Sequence, residues 1–243
     1  MTKHLITVAL AGIATIVAAC GSSRAGHDVT RVPPPASADR TTSLQHELVS
    51  VVRAVSPSVV QIETPQDLGS GVVFDARGDI VTNAHVVGHA TRFLVTLASG
   101  DSHPATAIAR DPANDLAVIR IAGARPRPAT FADSSQVAVG DIALALGNPL
   151  GLRSSVTEGI VSAVGRSVPE GDGVTLSSVI QTSAAINPGN SGGALVDLSG
   201  RLIGIPTLAA LDPQMGSSVA PGIGFAIAGN TVRRVAGALA RSR

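Results

Sequence analysis

Apolar residues fall along this chain in three successive patterns. The first is an uncharged apolar run, Leu5 to Ala19, behind a short basic start. Gly21 to Arg40 is polar, is broken by Pro33-Pro34-Pro35 and has no apolar period, so it reads as a flexible tether over residues 21–41. From Thr41 to Val55 the spacing becomes helical: Leu44, Leu48, Val51, Val52 and Val55 share one face, with Thr42 or Ser43 as N-cap. Beyond Ser58 the period shortens to that of β-strands, in short runs separated by turn residues. Strands are predicted at Ser58–Glu63, Gly71–Asp75, Ile80–Asn83, Arg92–Leu97, Ala105–Arg110 and Leu116–Ile121. Hairpin turns fall at Ala76-Arg77-Gly78-Asp79 and Ser99-Gly100-Asp101. After a Pro-containing link, Gly123 to Ala129, a second group is predicted at Asp141–Leu146, Val156–Gly165, Leu176–Thr182, Ala194–Leu198, Leu202–Ile205 and Gly224–Ile227. Asn230 then caps a closing helix, Thr231–Ala240, with Val232, Val235 and Leu239 on its apolar face. The reading is all-β with a C-terminal helix. The pattern alone fits two barrels or one larger sandwich.

Composition adjusts this picture at few points. In 243 residues, 44% are apolar and 14% charged, enough for a large core built from Val, Ile, Leu and Ala, since Trp and Tyr are absent and only four Phe occur. A net charge of +1, without a Lys/Arg run, gives no case for nucleic acid. The apolar run Leu5–Ala19 is short for a membrane span of ~20 residues and suits a signal-peptide core. It ends Val17-Ala18-Ala19-Cys20-Gly21, which resembles the bacterial lipobox, in which the cysteine is lipidated after cleavage. Residues 1–20 are therefore expected to be a lipoprotein-type signal peptide, with Cys20 as lipidation site and the protein exported and anchored to the membrane. An ordinary secretory signal cut after the small residues is the alternative.

The chemistry centres on Asn187-Pro188-Gly189-Asn190-Ser191-Gly192-Gly193. A serine hydroxyl needs a base, and the base an orienting acid, before it attacks a carbonyl. All six histidines precede Ser191, which excludes the α/β-hydrolase order and permits His…Asp…Ser. The best base is His85 in Thr82-Asn83-Ala84-His85; the best acid is Asp115 in Asn114-Asp115-Leu116, with Asp111 assigned to a solvated loop. His85 and His89 have the spacing of helical zinc ligands, but Val86 stands where a metalloprotease has Glu, so no metal is expected. No cofactor is expected either.

These residues carry a resemblance. Thr-Asn-Ala-His, Asn-Asp-Leu-Ala-Val and Gly-Asn-Ser-Gly-Gly, in this order and spacing, resemble the HtrA (DegP-like) family of trypsin-like serine proteases. Gly69-Ser70-Gly71-Val72-Val73-Phe74, Leu146-Gly147-Asn148-Pro149-Leu150-Gly151, Ser155 to Ser162 and Gly222 to Ile227 extend it from about Val51 to Arg243, without the PDZ domain that family members usually carry. The resemblance implies a trypsin-like protease domain over 42–243: a double six-stranded β-barrel, with barrels at about 58–122 and 136–228 and a helix at about 230–240. It implies an oxyanion hole from the N–H groups of Gly189 and Ser191, shaped by Asn190. A substrate pocket is implied with Ala185 at its floor and the stretch Thr207-Leu208-Ala209-Ala210 at its side, suited to small aliphatic residues. Arg166 matches a regulatory arginine at the start of a flexible loop, Ser167–Ser178. Ser183 stands in place of the family's Asp and is expected to lose a loop-ordering bond, and Pro206 replaces Asn and deletes a backbone donor. Substrates implied are unfolded or damaged envelope polypeptides, in protein quality control. A homotrimer is open to it, although the N-terminal aromatics on which the family's trimer often relies are absent. Two readings compete: a proteolytically weak, chaperone-like binding module, and an esterase on the same fold.

Overall fold

Strand alternation is carried out in full. The structure is a computed structural model and describes residues 37–64, 68–148, 155–171, 174–187, 189–212 and 218–242. The leader, Cys20 and the tether as far as residue 36 lie outside the described residues, as do Pro149, Leu150, Gly151 and Pro188 of the motifs. Residues 39–243 form one compact unit; of the unit before it, Met1–Ala38, only Ser37 and Ala38 are described.

Strands β1 (Val59–Glu63), β2 (Leu68–Val73), β3 (Asp79–Thr82), β4 (Arg92–Thr96), β5 (Ser102–Asp111) and β6 (Leu116–Ile121) close into a barrel in the order β1-β2-β3-β6-β5-β4. Strands β7 (Ile142–Gly147), β8 (Ser155–Gly171), β9 (Val174–Thr182), β10 (Ala194–Val196), β11 (Leu202–Asp212) and β12 (Ser218–Ala228) close a second, in the order β10-β11-β12-β9-β8-β7. Helix α1 (Ser37–Val55) precedes the first barrel, the single turn α2 (Ala84–Val87) follows β3, and α3 (Gly229–Leu239) closes the chain. Every expected strand is present. The all-β double barrel replaces the sandwich alternative.

The differences lie at element ends. Helix α1 starts at Ser37 and so takes the last residues of the segment read as tether. The loop expected at Ser167–Ser178 is the outer part of a β8–β9 ribbon, with Val168 paired to Leu176 and Gly171 to Val174. Its Gly, Ser and Pro content is that of a loop, but register shifts between Val161 and Gly171 absorb the irregular residues and let pairing continue. Asn230 does not cap α3, whose N-cap is Ala228. Its side chain instead holds the preceding turn: Nδ2 donates to Asp133 Oδ1 at 2.7 Å and Oδ1 accepts from Ser134 N–H at 3.4 Å. With the Ser135 hydroxyl and N–H also donating, the Asp133 carboxyl is brought down to about 2.

Alternation divides the core into three parts. Val60, Ile62, Ile80, Val95, Ala117 and Ile119 fill the first barrel, while Ala143, Ala145, Val161, Ile180, Leu195 and Ile203 fill the second. The residues between them in sequence point the other way. Val59, Val81, Leu116 and Val118 of the first barrel join Leu144, Leu146, Ile205 and Phe225 of the second, with Val51 and Val55 of α1 and Val232 and Val235 of α3, in one continuous cluster. Runs such as Leu116-Ala117-Val118-Ile119 are therefore apolar throughout because both faces are buried. Asp79, fully buried on β3, is held by Arg120 of the paired strand at 2.6 and 3.0 Å and by Arg77 at 3.0 Å. The end of β3, the start of β6 and the middle of β11 lie beside this inter-barrel cluster, and with the turn before β10 they carry the candidate site.

Candidate active site

Helix α2 is one turn long and is set by Asp115, which precedes β6, the strand paired beside β3. The Asp115 carbonyl accepts from Ala84 N–H and from Asn83 Nδ2, both at 3.1 Å. Its carboxylate accepts His85 N–H on Oδ1 at 3.0 Å and faces His85 Nδ1 with Oδ2 at 2.8 Å. Asp115 can reach both because its backbone is left-handed, φ 47°, a conformation that Asp tolerates better than most residues. The turn before it, Pro112–Asn114, is capped by Asp111, which accepts Asn114 N–H at 3.3 Å and Asn114 Nδ2 at 2.7 Å. Asp111 is thus a cap rather than a solvated loop residue.

A further acceptor bond completes the acid. Thr207 of β11, in the second barrel, donates its hydroxyl to Asp115 Oδ2 at 2.6 Å, while its carbonyl accepts the Ser191 hydroxyl at 3.3 Å. One residue therefore links the acid of the first barrel with the serine of the second. Burial pushes the Asp115 carboxyl up, but the bonds and charge from His85 and the Thr207 hydroxyl outweigh it and hold the group below its usual range. The Asp115 side chain is 3% exposed and that of His85 45%, so the carboxylate is shielded while the ring faces solvent. An imidazole held this way donates from Nδ1 and leaves Nε2 to take a proton.

Ser191 lies in a turn shaped by glycines. Gly189 has φ 103° and Gly192 φ 79°, both costly for any residue with a Cβ. At Gly192 a Cβ would also meet Ser70 O at 2.3 Å and Thr82 Oγ1 at 2.4 Å. Gly193 N–H donates to Asn190 O at 3.0 Å and Gly192 N–H to Pro206 O at 2.9 Å. The buried Asn190 side chain folds back on the preceding loop, accepting Asn187 N–H on Oδ1 and donating Nδ2 to Ala185 O, both at 3.0 Å. Gly189 N–H and Ser191 N–H, the donors implied for an oxyanion hole, meet no acceptor among the described residues.

Around the site the expectations fare unevenly. Ala185 is exposed, and its carbonyl is fixed by Thr157 Oγ1 at 2.8 Å as well as by Asn190. The backbone of Leu208, Ala209 and Ala210 continues β11, but their side chains lie outside the described residues. Ser183 keeps an ordering bond after all, its Oγ accepting Ile160 N–H at 2.9 Å. Pro206 sits at a register shift in β11, where a strand tolerates a missing N–H. Arg166 is exposed on β8, paired with Val179. Sequence reasoning placed Ser70 in a motif and Thr207 beside the pocket but missed the contacts that each makes between the barrels; the signal was a lone hydroxyl in an otherwise apolar or Gly-rich strand.

Known proteins resemble this chain in sequence and in fold. Residues 69–205 match the model of the trypsin-like peptidase domain. The chain is 49% identical over 170 residues to the periplasmic serine endoprotease DegP of Escherichia coli (strain K12), covering 69% of this chain and 35% of that protein. It is 41% identical over 210 residues to the serine protease PepD of Mycobacterium tuberculosis, covering 76% and 45%. Among solved structures, the HtrA-type protease AlgW with a tripeptide superposes with a TM-score of 0.72 at 39% identity, over 79% of this chain and 63% of that one. The chain thus spans less than half the length of these two curated relatives. Taken with the paired barrels and the site residues drawn from both, these matches show that this chain belongs to the trypsin-like peptidase family, with HtrA-type proteases among its relatives.

Proposed function

We propose that the chain is a serine endopeptidase that hydrolyses peptide bonds of unfolded or damaged polypeptides in the cell envelope. The observation that carries this reading is the chain of contacts from His85 Nδ1 through Asp115 and Thr207 to Ser191 Oγ. In the proposed cycle the Ser191 hydroxyl attacks a peptide carbonyl while His85 Nε2 takes its proton and returns it to the leaving amine. Water then hydrolyses the acyl-enzyme by the same route. Asp115 holds the ring in the required tautomer, and Gly189 N–H and Ser191 N–H receive the developing oxyanion. The envelope setting rests on the leader and on the word periplasmic in the names of relatives. The lipid anchor at Cys20 and a trimeric assembly belong to the same proposal, and Arg166 is its candidate regulatory residue.

The binding-only reading draws on one observation. The Ser191 proton is spent on the Thr207 carbonyl, so the hydroxyl must turn before His85 can take it. Protein lacking residues 1–20, incubated with casein and with a fluorophosphonate probe, separates the readings. Labelling together with casein degradation is the expected result; absence of both would leave a binding module, and labelling with ester but not casein turnover an esterase.

Specificity is a separate expectation. With Ala185 at the proposed pocket floor there is no carboxylate to pair with Lys or Arg. A peptide-library digest is expected to show cleavage after small aliphatic residues such as Ala and Val. A dominant preference for basic residues would place the pocket elsewhere.

A further inference from the structure

Ser70 is fully buried on β2 of the first barrel, yet every polar group it has is committed at or beside the Ser191 turn. Its N–H donates to the Ser191 carbonyl at 3.1 Å. Its hydroxyl donates to the Gly189 carbonyl and accepts Asn148 N–H at 2.8 Å. Its own carbonyl accepts the Thr82 hydroxyl at 2.6 Å, which ties it to the strand that leads into α2 and His85. We propose that Ser70 is a positioning residue, which sets the nucleophile turn of one barrel against the base and acid of the other. The inference rests on the protease reading above.

A peptide unit is planar, so fixing its carbonyl fixes the N–H at its other end. Three successive carbonyls of the turn are held: Gly189 by the Ser70 hydroxyl, Asn190 by Gly193 N–H, and Ser191 by Ser70 N–H. Two of these three come from Ser70. The middle unit carries Ser191 N–H, one of the proposed oxyanion donors, and it is clamped on both sides. Gly192 is in van der Waals register with the same strand, since any Cβ there would overlap Ser70 O and Thr82 Oγ1. No side chain can enter between turn and strand. An alanine at position 70 would keep the bond to Ser191 O but strand the Gly189 carbonyl and the N–H of Asn148, whose residue is 5% exposed. Buried groups left unpaired look for new partners, and the turn is the part free to move.

A positioning role and a merely structural one differ in the activity of each folded molecule. Full-length wild type and Ser70→Ala, purified in detergent, are titrated with the fluorophosphonate probe to count competent sites. Peptide turnover is then expressed per titrated site, beside the Tm of each variant. For Ser70→Ala, kcat per site is expected to fall roughly 10- to 100-fold with KM changed by less than about twofold, the mark of a loss confined to the transition state. Ser70→Cys, with a weaker donor of similar shape, is expected to lose less. Arg120→Gln, which breaks the Asp79 pair away from the site, is expected to lower Tm with no change in kcat per site. Wild-type kcat per site in Ser70→Ala, whatever its Tm, would overturn the inference. Should that variant fail to fold, unchanged kcat per site in Ser70→Cys would do the same. Wild type that neither labels nor cleaves would remove the protease reading itself, and this inference with it, a result distinct from the others.

Discussion

Ser191→Ala is expected to lower peptide turnover by ~10⁶-fold in kcat, to a level set by substrate binding and oxyanion stabilisation alone. The fold should be unaffected. The hydroxyl is half-buried and makes one bond, at 3.3 Å, to the Thr207 carbonyl, so its removal costs about 1 kcal/mol at most. The glycine conformations and Asn190 bonds that shape the turn do not involve Oγ. Steady-state hydrolysis of a fluorogenic peptide, read beside a thermal melt, checks both halves. A variant with wild-type turnover and an unchanged melt would move the nucleophile to another residue and end the proposed mechanism.

Asp115→Asn is expected to cost ~10⁴-fold in kcat while His85 and Ser191 stay in place. An amide at 115 must still satisfy three donors: His85 N–H, His85 Nδ1 and the Thr207 hydroxyl. It has one acceptor oxygen and presents an NH₂ where the second oxygen was. If the NH₂ faces the ring, Nδ1 becomes the acceptor, the proton moves to Nε2, and the base can no longer accept from serine. The stability consequence has a definite sign. The folded Asp115 carboxyl lies below its unfolded value, so its contribution is fully present above that unfolded value and is lost as pH falls through the folded one. The Tm gap between wild type and Asp115→Asn should therefore be widest near neutral pH and narrow on acidification into the carboxylate range. A gap that widens on acidification would mean that the carboxyl is not stabilised in its ionised form. Turnover within tenfold of wild type would remove Asp115 from its orienting role.

Strand positions were legible because both periodicity and turn chemistry mark them. Leu116–Ile121 runs to the same limits in sequence and structure. The outer part of the β8–β9 ribbon was not, since bulged pairing lets Gly-Ser-Pro sequence remain in a sheet, and hydropathy carries no sign of it. Asn230 looked like a cap because it precedes an apolar helical face; the bonds it makes to Asp133 and Ser134 come from residues far away in sequence. The site divides the same way. His85, Asp115 and Ser191 stand out because few residue types can do base, acid and nucleophile chemistry and their order along the chain restricts the choice. Thr207 and Ser70 act through contacts between barrels. A hydroxyl in a buried strand has many uses, and only the packing of one barrel on the other says which one is made.

That packing also fixes when the chemistry could begin. The proposed base and acid belong to the barrel made first as the chain leaves a ribosome, the serine to the barrel made after it. Each barrel needs the other to cover its outward apolar face. A nascent polypeptide would hold an imidazole and a carboxylate with nothing to activate, so the proposed site cannot assemble until the second barrel has been made and has packed on the first.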